Sequence, residues 1–238
     1  GTEQRELVYL VETPGASRVP RRTGLYHFAL LVPSREALGN ALRNLIATQT
    51  KLSGGADHLV SEALYLDDPD GNGIEIYCDR PREEWRMENG RPQMDTLPLD
   101  FEGILAGAIG SDGARANLAA DSFMGHMHLH VAHLEQALNF YEEVIGFDLQ
   151  AQMGQSAAFL SAGGYHHHLG INTWAGEGAP PPPEGSLGLR HFVIELAKEE
   201  ALRELIARLQ QAQIPNDMQT EGLYVHDPSQ NKILFVQQ

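Results

Sequence analysis

In the stretch DHLVSEALYLDDPDGNGIEIY, residues 57–77, a histidine, a tyrosine and a glutamate stand around an Asp-Pro-x-Gly turn: His58, Tyr65 and Glu75. An imidazole takes and gives protons near neutral pH. A phenol donates a hydrogen bond, and a carboxylate accepts one or holds a cation. The turn DDPDGN joins EALYL and GIEIY, which read as two short strands. Side chains alternate along a strand, so Glu75 points opposite to Ile74 and Ile76. A carboxylate between two isoleucines is unusual unless it faces a site that wants charge. The plainer alternative is an edge hairpin with its polar groups turned outward, and this stretch alone leaves both open.

Other histidines fall on segments that position them. GLYHFALLV (24–32) reads as a strand apolar on both faces and carries His27. Ser34 suits a helix N-cap, and Leu38, Leu42, Leu45 and Ile46 follow at helical spacing. MGHMHLHV (124–131) carries His126, His128 and His130, which alternate along a strand. A helix with Leu134, Leu138, Tyr141 and Ile145 follows, closed by Gly146. AAFLSAG and HHHLGINTW read as strands, GEGAPPPPEG as a loop, and LRHFVIEL (189–196) as a strand with His191. A helix with Leu202, Leu205, Ile206 and Leu209 precedes the closing LYVHDPSQNKILFV.

The chain thus repeats a unit of strand, helix and two or three strands. GLYHFALLV matches GLRHFVIEL, and LYLDDPDGNGIEIY matches LYVHDPSQNKILFV, which sets Leu234 where Glu75 stands. Three units are visible from residue 24 onward. ELVYLVE (6–12) is expected to be the last strand of an earlier unit, either one whose first part precedes this chain, the favoured reading, or a degenerate one. The expected division is 1–82, a remnant of a first unit plus a complete second; 83–122, a linker with a short helix at FEGILAGAI; and 123–238, a third and fourth unit. The 238 residues are 42% hydrophobic, enough for a real core. A net charge of −15 argues against nucleic acid or an anionic membrane surface as partner. Cys78 is the sole cysteine, so no disulfide framework or cysteine zinc site exists, which fits a cytoplasmic setting. No apolar run is long enough to span a bilayer.

This pattern resembles the vicinal oxygen chelate superfamily, which includes glyoxalase I, bleomycin-resistance proteins and type I extradiol dioxygenases. The extradiol motif is met by His58, five residues, Leu64, Tyr65, two residues, Asp68, Pro69, Asp70, Gly71, three residues and Glu75. Ala56 departs from the Gly, Asn or β-branched residue usual just before it. The whole chain looks most like CatE-like catechol 2,3-dioxygenases. The resemblance implies an α+β fold of repeated βαβββ units, forming paired cup-shaped mixed sheets with helices outside. It implies a mononuclear non-haem Fe(II), with Mn(II) also accepted, held by two histidines and a carboxylate from first and last strands. Glu75 is the carboxylate, and His27, His126 and His191 occupy matching first-strand places. If the middle units pair, His27, His126 and Glu75 form the set; otherwise a preceding unit must supply a ligand. The clustering of polar residues in the middle units favours the first set.

The resemblance also implies roles for the remaining residues. His58 or His168 acts as base on a catechol hydroxyl and later as acid, and Tyr65 donates a hydrogen bond to a substrate oxygen. The implied reaction is extradiol cleavage of a catechol-type aromatic diol by O2, in aromatic catabolism. A glyoxalase-like lyase or isomerase and a non-catalytic aromatic-binding resistance protein are the alternatives. The expected partners are the diol and O2, with self-association into a homo-oligomer left open.

Overall fold

The computed structural model describes residues 6–109 and 117–237. In chain order the elements are β1 (Gly24–Leu31), α1 (Arg35–Ala47), β2 (Leu52–Asp57), β3 (Ser61–Asp67), β4 (Gly73–Asp79), the short strands β5 (Met87–Glu88), β6 (Arg91–Pro92) and β7 (Leu97–Pro98), and α2 (Phe101–Ala106). Then come β8 (Phe123–His130), α3 (Leu134–Asn139) continued by a π turn over Phe140–Ile145, β9 (Asp148–Met153), β10 (Ala157–Ser161) and β11 (Leu169–Asn172). The chain closes with β12 (Phe192–Leu196), α4 (Glu199–Gln211), β13 (Asn216–Met218), β14 (Leu223–His226) and β15 (Lys232–Gln237). Two compact units result. The first comprises Gly1–Pro14 and His27–His126, the second Gly15–Tyr26 and Met127–Gln238.

The expected α+β repeat is present three times among the described residues. In each, the first strand runs parallel to the last, and the three later strands are antiparallel neighbours. The strand orders are β2-β3-β4-β1, β9-β10-β11-β8 and β13-β14-β15-β12. No helix among the described residues is long and apolar enough to cross a membrane.

In the first unit, strand alternation separates two faces. Leu64, Leu66, Ile76 and Cys78 turn to one side, where they pack with Leu38 and Leu42 of α1 and with Leu99 and Ile104. Each buried leucine contributes roughly 1.5–3 kcal/mol by leaving water. The Ser34 hydroxyl accepts from the Ala37 amide at 3.1 Å and fixes the start of α1. At the same helix end, Arg35 grips the buried Glu62 of β3 through two bonds of 2.6 and 3.1 Å. The opposite face carries Ala29, Leu31, Ala63, Tyr65 and Tyr77.

Four local expectations need correction or addition. Glu6–Glu12 forms no strand; Tyr9 and Leu10 are exposed, and no neighbouring strand among the described residues pairs with the segment. The strand expected from His166 begins only at Leu169, because Gly163 and Gly164 take left-handed conformations (φ 67° and 66°) that turn the chain just before the histidines. Strand β2 has the sequence LSGGAD, which lacks the apolar alternation that would announce it. In the stretch read as a linker, β7 pairs with β2, and α2 begins at Asp100, whose carboxylate accepts from the Gly103 amide.

The turn before the last strand is built alike in two units. Asp68 accepts from the amides of Asp70 and Asn72 and from the Asn72 side chain, at 2.7–2.9 Å. Asp227 accepts from the amides of Ser229 and Asn231 and from the Asn231 side chain, each at 2.8 Å. Asp227 is buried and also accepts from the Tyr141 hydroxyl at 3.0 Å, whereas Asp68 is partly exposed. Removing a buried acceptor leaves its donors unsatisfied, at about 1–3 kcal/mol for each such group. Asp227→Ala should therefore lower unfolding stability by about 3 kcal/mol or more and Asp68→Ala by about 1 kcal/mol, measured by chemical denaturation. Equal losses would contradict the burial argument.

Candidate metal centre

His27 lies on β1, Glu75 on β4 and His126 on β8. The parallel pairing of β1 with β4 sets Ala29 opposite Glu75, so His27 and Glu75 are diagonal neighbours on one face. Tyr65 of β3 stands directly opposite Glu75. All three polar side chains are buried, at 7%, 3% and 3% exposure for His27, Glu75 and His126.

Their contacting atoms form a nearly equilateral triangle. His27 Nε2 and His126 Nε2 each lie 3.0 Å from Glu75 Oε2, and the two nitrogens are 3.3 Å apart. Each Nε2 carries at most one hydrogen. No protonation state therefore turns all three contacts into well-aligned hydrogen bonds. A cation facing all three lone pairs satisfies them together. Three adjacent corners of an octahedron around an ion about 2.1 Å away lie about 3.0 Å apart, so the donor set fits a facial arrangement of two imidazoles and one carboxylate. Burial alone pushes the Glu75 carboxyl up, but the His126 and His27 imidazoles outweigh it and hold the group well below the usual carboxylate range. Glu75 is an anion, as a ligand must be.

His58 and Tyr65 form a second group in the same unit. His58 Nε2 lies 2.7 Å from the Tyr65 hydroxyl, and His58 Nδ1 lies 2.8 Å from the Asp95 carbonyl oxygen. A carbonyl only accepts, so Nδ1 carries the proton and Nε2 accepts from Tyr65. The centroid of the Tyr65 ring lies 5.8 Å from that of His27. His58 sits in the turn between β2 and β3, where Leu59 is held at φ 68°. A leucine in this left-handed region is strained, and such strain is retained where the surroundings impose it.

The remaining predicted residues lie in the second unit. His168 precedes β11 and is exposed; its Nδ1 accepts from the Ala162 amide at 3.2 Å, and its ring lies against Phe147 and Tyr165. His166 is fully buried and lies 2.8 Å from His167, nitrogen to nitrogen, so the triplet does not alternate as a strand would. His128 packs among Tyr26, Phe159 and Trp174, and His130 donates to Asn172. His191, just before β12, has its ring edge-on to Tyr224, over which Lys232 Nζ sits at 4.1 Å. Partial burial and then Lys232 lower its pKa. Leu234 stands opposite Val193 as Glu75 stands opposite Ala29, so this slot has no carboxylate.

Two contributors escaped the sequence reading. The Asp95 carbonyl is a backbone atom in an aperiodic stretch and carries no residue-type signal. Tyr77 packs against His126, at 4.9 Å between ring centroids, and its two-residue spacing from Glu75 was the available clue.

Comparison with known proteins adds independent findings. The description of the Glyoxalase/Bleomycin resistance protein/Dioxygenase superfamily matches residues 123–235. Catechol-2,3-dioxygenase of Bacillus subtilis (strain 168) is 45% identical over 229 residues, covering 94% of this chain and 79% of that protein. A crystal structure of a candidate dioxygenase from B. subtilis subsp. subtilis str. 168 superposes with a TM-score of 0.57 at 12% identity; it covers 92% of this chain, which spans 64% of that structure's length. Glyoxalase I of Zea mays superposes with a TM-score of 0.50 at 15% identity, over 94% of this chain and 71% of that one. At such identities the structural likeness speaks for the fold alone.

Removing the one anionic member of the triangle should matter most. Glu75→Gln should lose most of its bound divalent metal after anaerobic loading and desalting, measured by elemental analysis, while His191→Ala should retain the parent content. Metal lost in His191→Ala and kept in Glu75→Gln would show that the wrong residues were chosen.

Proposed function

This chain belongs to the glyoxalase/bleomycin resistance protein/dioxygenase superfamily as an extradiol-type dioxygenase, and we propose that it opens the ring of a catechol-type aromatic diol beside its hydroxyls. In this reading His27, Glu75 and His126 hold Fe(II), with Mn(II) acceptable to the same donors. The observation that carries it is the buried triangle of two imidazoles and one carboxylate. When bound, such an ion would supply Lewis acidity toward the diol.

The protein's own groups manage the protons. Tyr65 receives the diol proton on its phenol oxygen while its own hydrogen passes to His58 Nε2. The Asp95 carbonyl steadies the imidazolium through Nδ1–H. His58 thus works through Tyr65 rather than directly on the substrate. The acid role that the family resemblance gives to His168 rests on that resemblance; its Nδ1 accepts from the Ala162 amide. Ring cleavage beside the diol then gives a 2-hydroxymuconic semialdehyde-type product. A glyoxalase-like lyase would want a second carboxylate, and among the described residues the triangle holds Glu75 alone.

Loading with Fe(II) without oxygen, then adding catechol and O2, should give a yellow ring-fission product with one O2 consumed per diol. Metal binding without O2 uptake would reject the reading. His58→Phe and Tyr65→Phe should each keep the metal and lower turnover per bound iron by about 10²–10⁴. Because the two act as one relay, the double variant should fall no further than the worse single variant. Multiplying losses would break the relay.

A further inference from the structure

We propose that Tyr77 and Gly125 together lock the plane of the His126 imidazole, which makes Tyr77 a positioning residue of the metal centre; this rests on the metal reading above. His27 and Glu75 reach the triangle from β1 and β4, whose pairing register fixes their backbones. His126 comes from β8, and its ring must be turned so that Nε2 points at Glu75. Something must choose that rotation.

Tyr77 is placed to choose it. It follows Glu75 by two residues on β4 and so shares its face. Leu31 and Ala63 stand opposite it on the two flanking strands, and with Ala29 they pack around a ring that is fully buried. The small side chains of Ala29 and Ala63 leave room for a tyrosine. The Tyr77 and His126 rings are inclined at 52° with centroids 4.9 Å apart, so rotating the imidazole would drive it into the phenol.

Gly125 completes the lock. A Cβ built on Gly125 would fall 2.7 Å from Cε1 and Cζ of Tyr77 and would collide with its hydroxyl oxygen. The phenol therefore lies over the bare backbone of the residue that precedes the ligand. Any side chain at 125 displaces the ring, and the ring is what holds the ligand. Hydrogen-bonding partners that orient a ligand typically alter metal affinity about 10–100-fold when removed, and a ring that fixes the imidazole plane should act in the same direction.

Co(II) binding, followed by titration against a chelator and by the visible d–d spectrum, tests the lock without turnover. Tyr77→Phe keeps the ring and should stay within about threefold of the parent affinity. Tyr77→Leu and Gly125→Ala should each weaken Co(II) by about 10–100-fold and change the spectrum. The double variant Gly125→Ala/Tyr77→Leu has no clash, so it should regain the melting temperature of Tyr77→Leu yet stay weak for Co(II). Parent-like affinity and spectrum in Tyr77→Leu would overturn the proposal, as would a Tyr77→Phe loss equal to that of Tyr77→Leu. A parent protein that binds no Co(II) would overturn both this lock and the metal reading beneath it. Should Gly125→Ala fail to fold, the two Tyr77 variants decide.

Discussion

The first unit is organised around one buried anion. Glu75 is 3% exposed, and an isolated carboxylate so far from water would be driven to the neutral form. Two imidazoles keep it ionised, and neighbouring strands deliver both of them. The parallel pairing of β1 with β4 brings His27, and β8 brings His126. The alternation of β4 does the rest. Its even positions, Ile74, Ile76 and Cys78, feed the core under α1, while Glu75 and Tyr77 face the opposite side. Slipping β4 by one residue would bury the core positions on the wrong face and expel the carboxylate together.

The last of the three repeats shows what the fold needs when the anion is absent. It keeps the parallel first and last strands and the Asp-centred turn, down to a left-handed residue at Gln230 where the first unit has Gly71. It keeps a histidine two residues before the first-strand residue opposite the slot, and a tyrosine on the penultimate strand, His191 and Tyr224. Leu234 takes the carboxylate's place, and Lys232 lays its ammonium over the Tyr224 ring. The scaffold is therefore independent of the charge, and the chemistry lies in a handful of substitutions on a shared frame.

What the sequence revealed follows the same division. Strand alternation and the internal match place His27, Glu75 and His126 at repeated positions of regular elements, and the resemblance to the vicinal oxygen chelate superfamily is what proposes them as ligands. The helix starting at Ser34 was legible from its cap and its leucines. Glu6–Glu12 misled, since an apolar run reads as a strand whether or not a neighbour exists to take up its backbone groups. His166–His168 misled because two left-handed glycines, not side-chain types, decide where β11 begins. The Asp95 carbonyl, which fixes the His58 tautomer, belongs to tertiary contact and leaves no mark on residue type. Tyr77 was visible as a strand residue, but its packing on His126 depends on which strand lies beside it.

The central claim is that one ion is held by two imidazoles and a single carboxylate. X-ray absorption at the iron edge, on protein loaded anaerobically with Fe(II), examines it most directly. One iron per chain with a scattering pattern from two imidazoles and oxygen neighbours is the predicted result, reduced to one imidazole in His126→Ala. An iron shell of three imidazoles, or a shell unchanged in His126→Ala, would contradict the account.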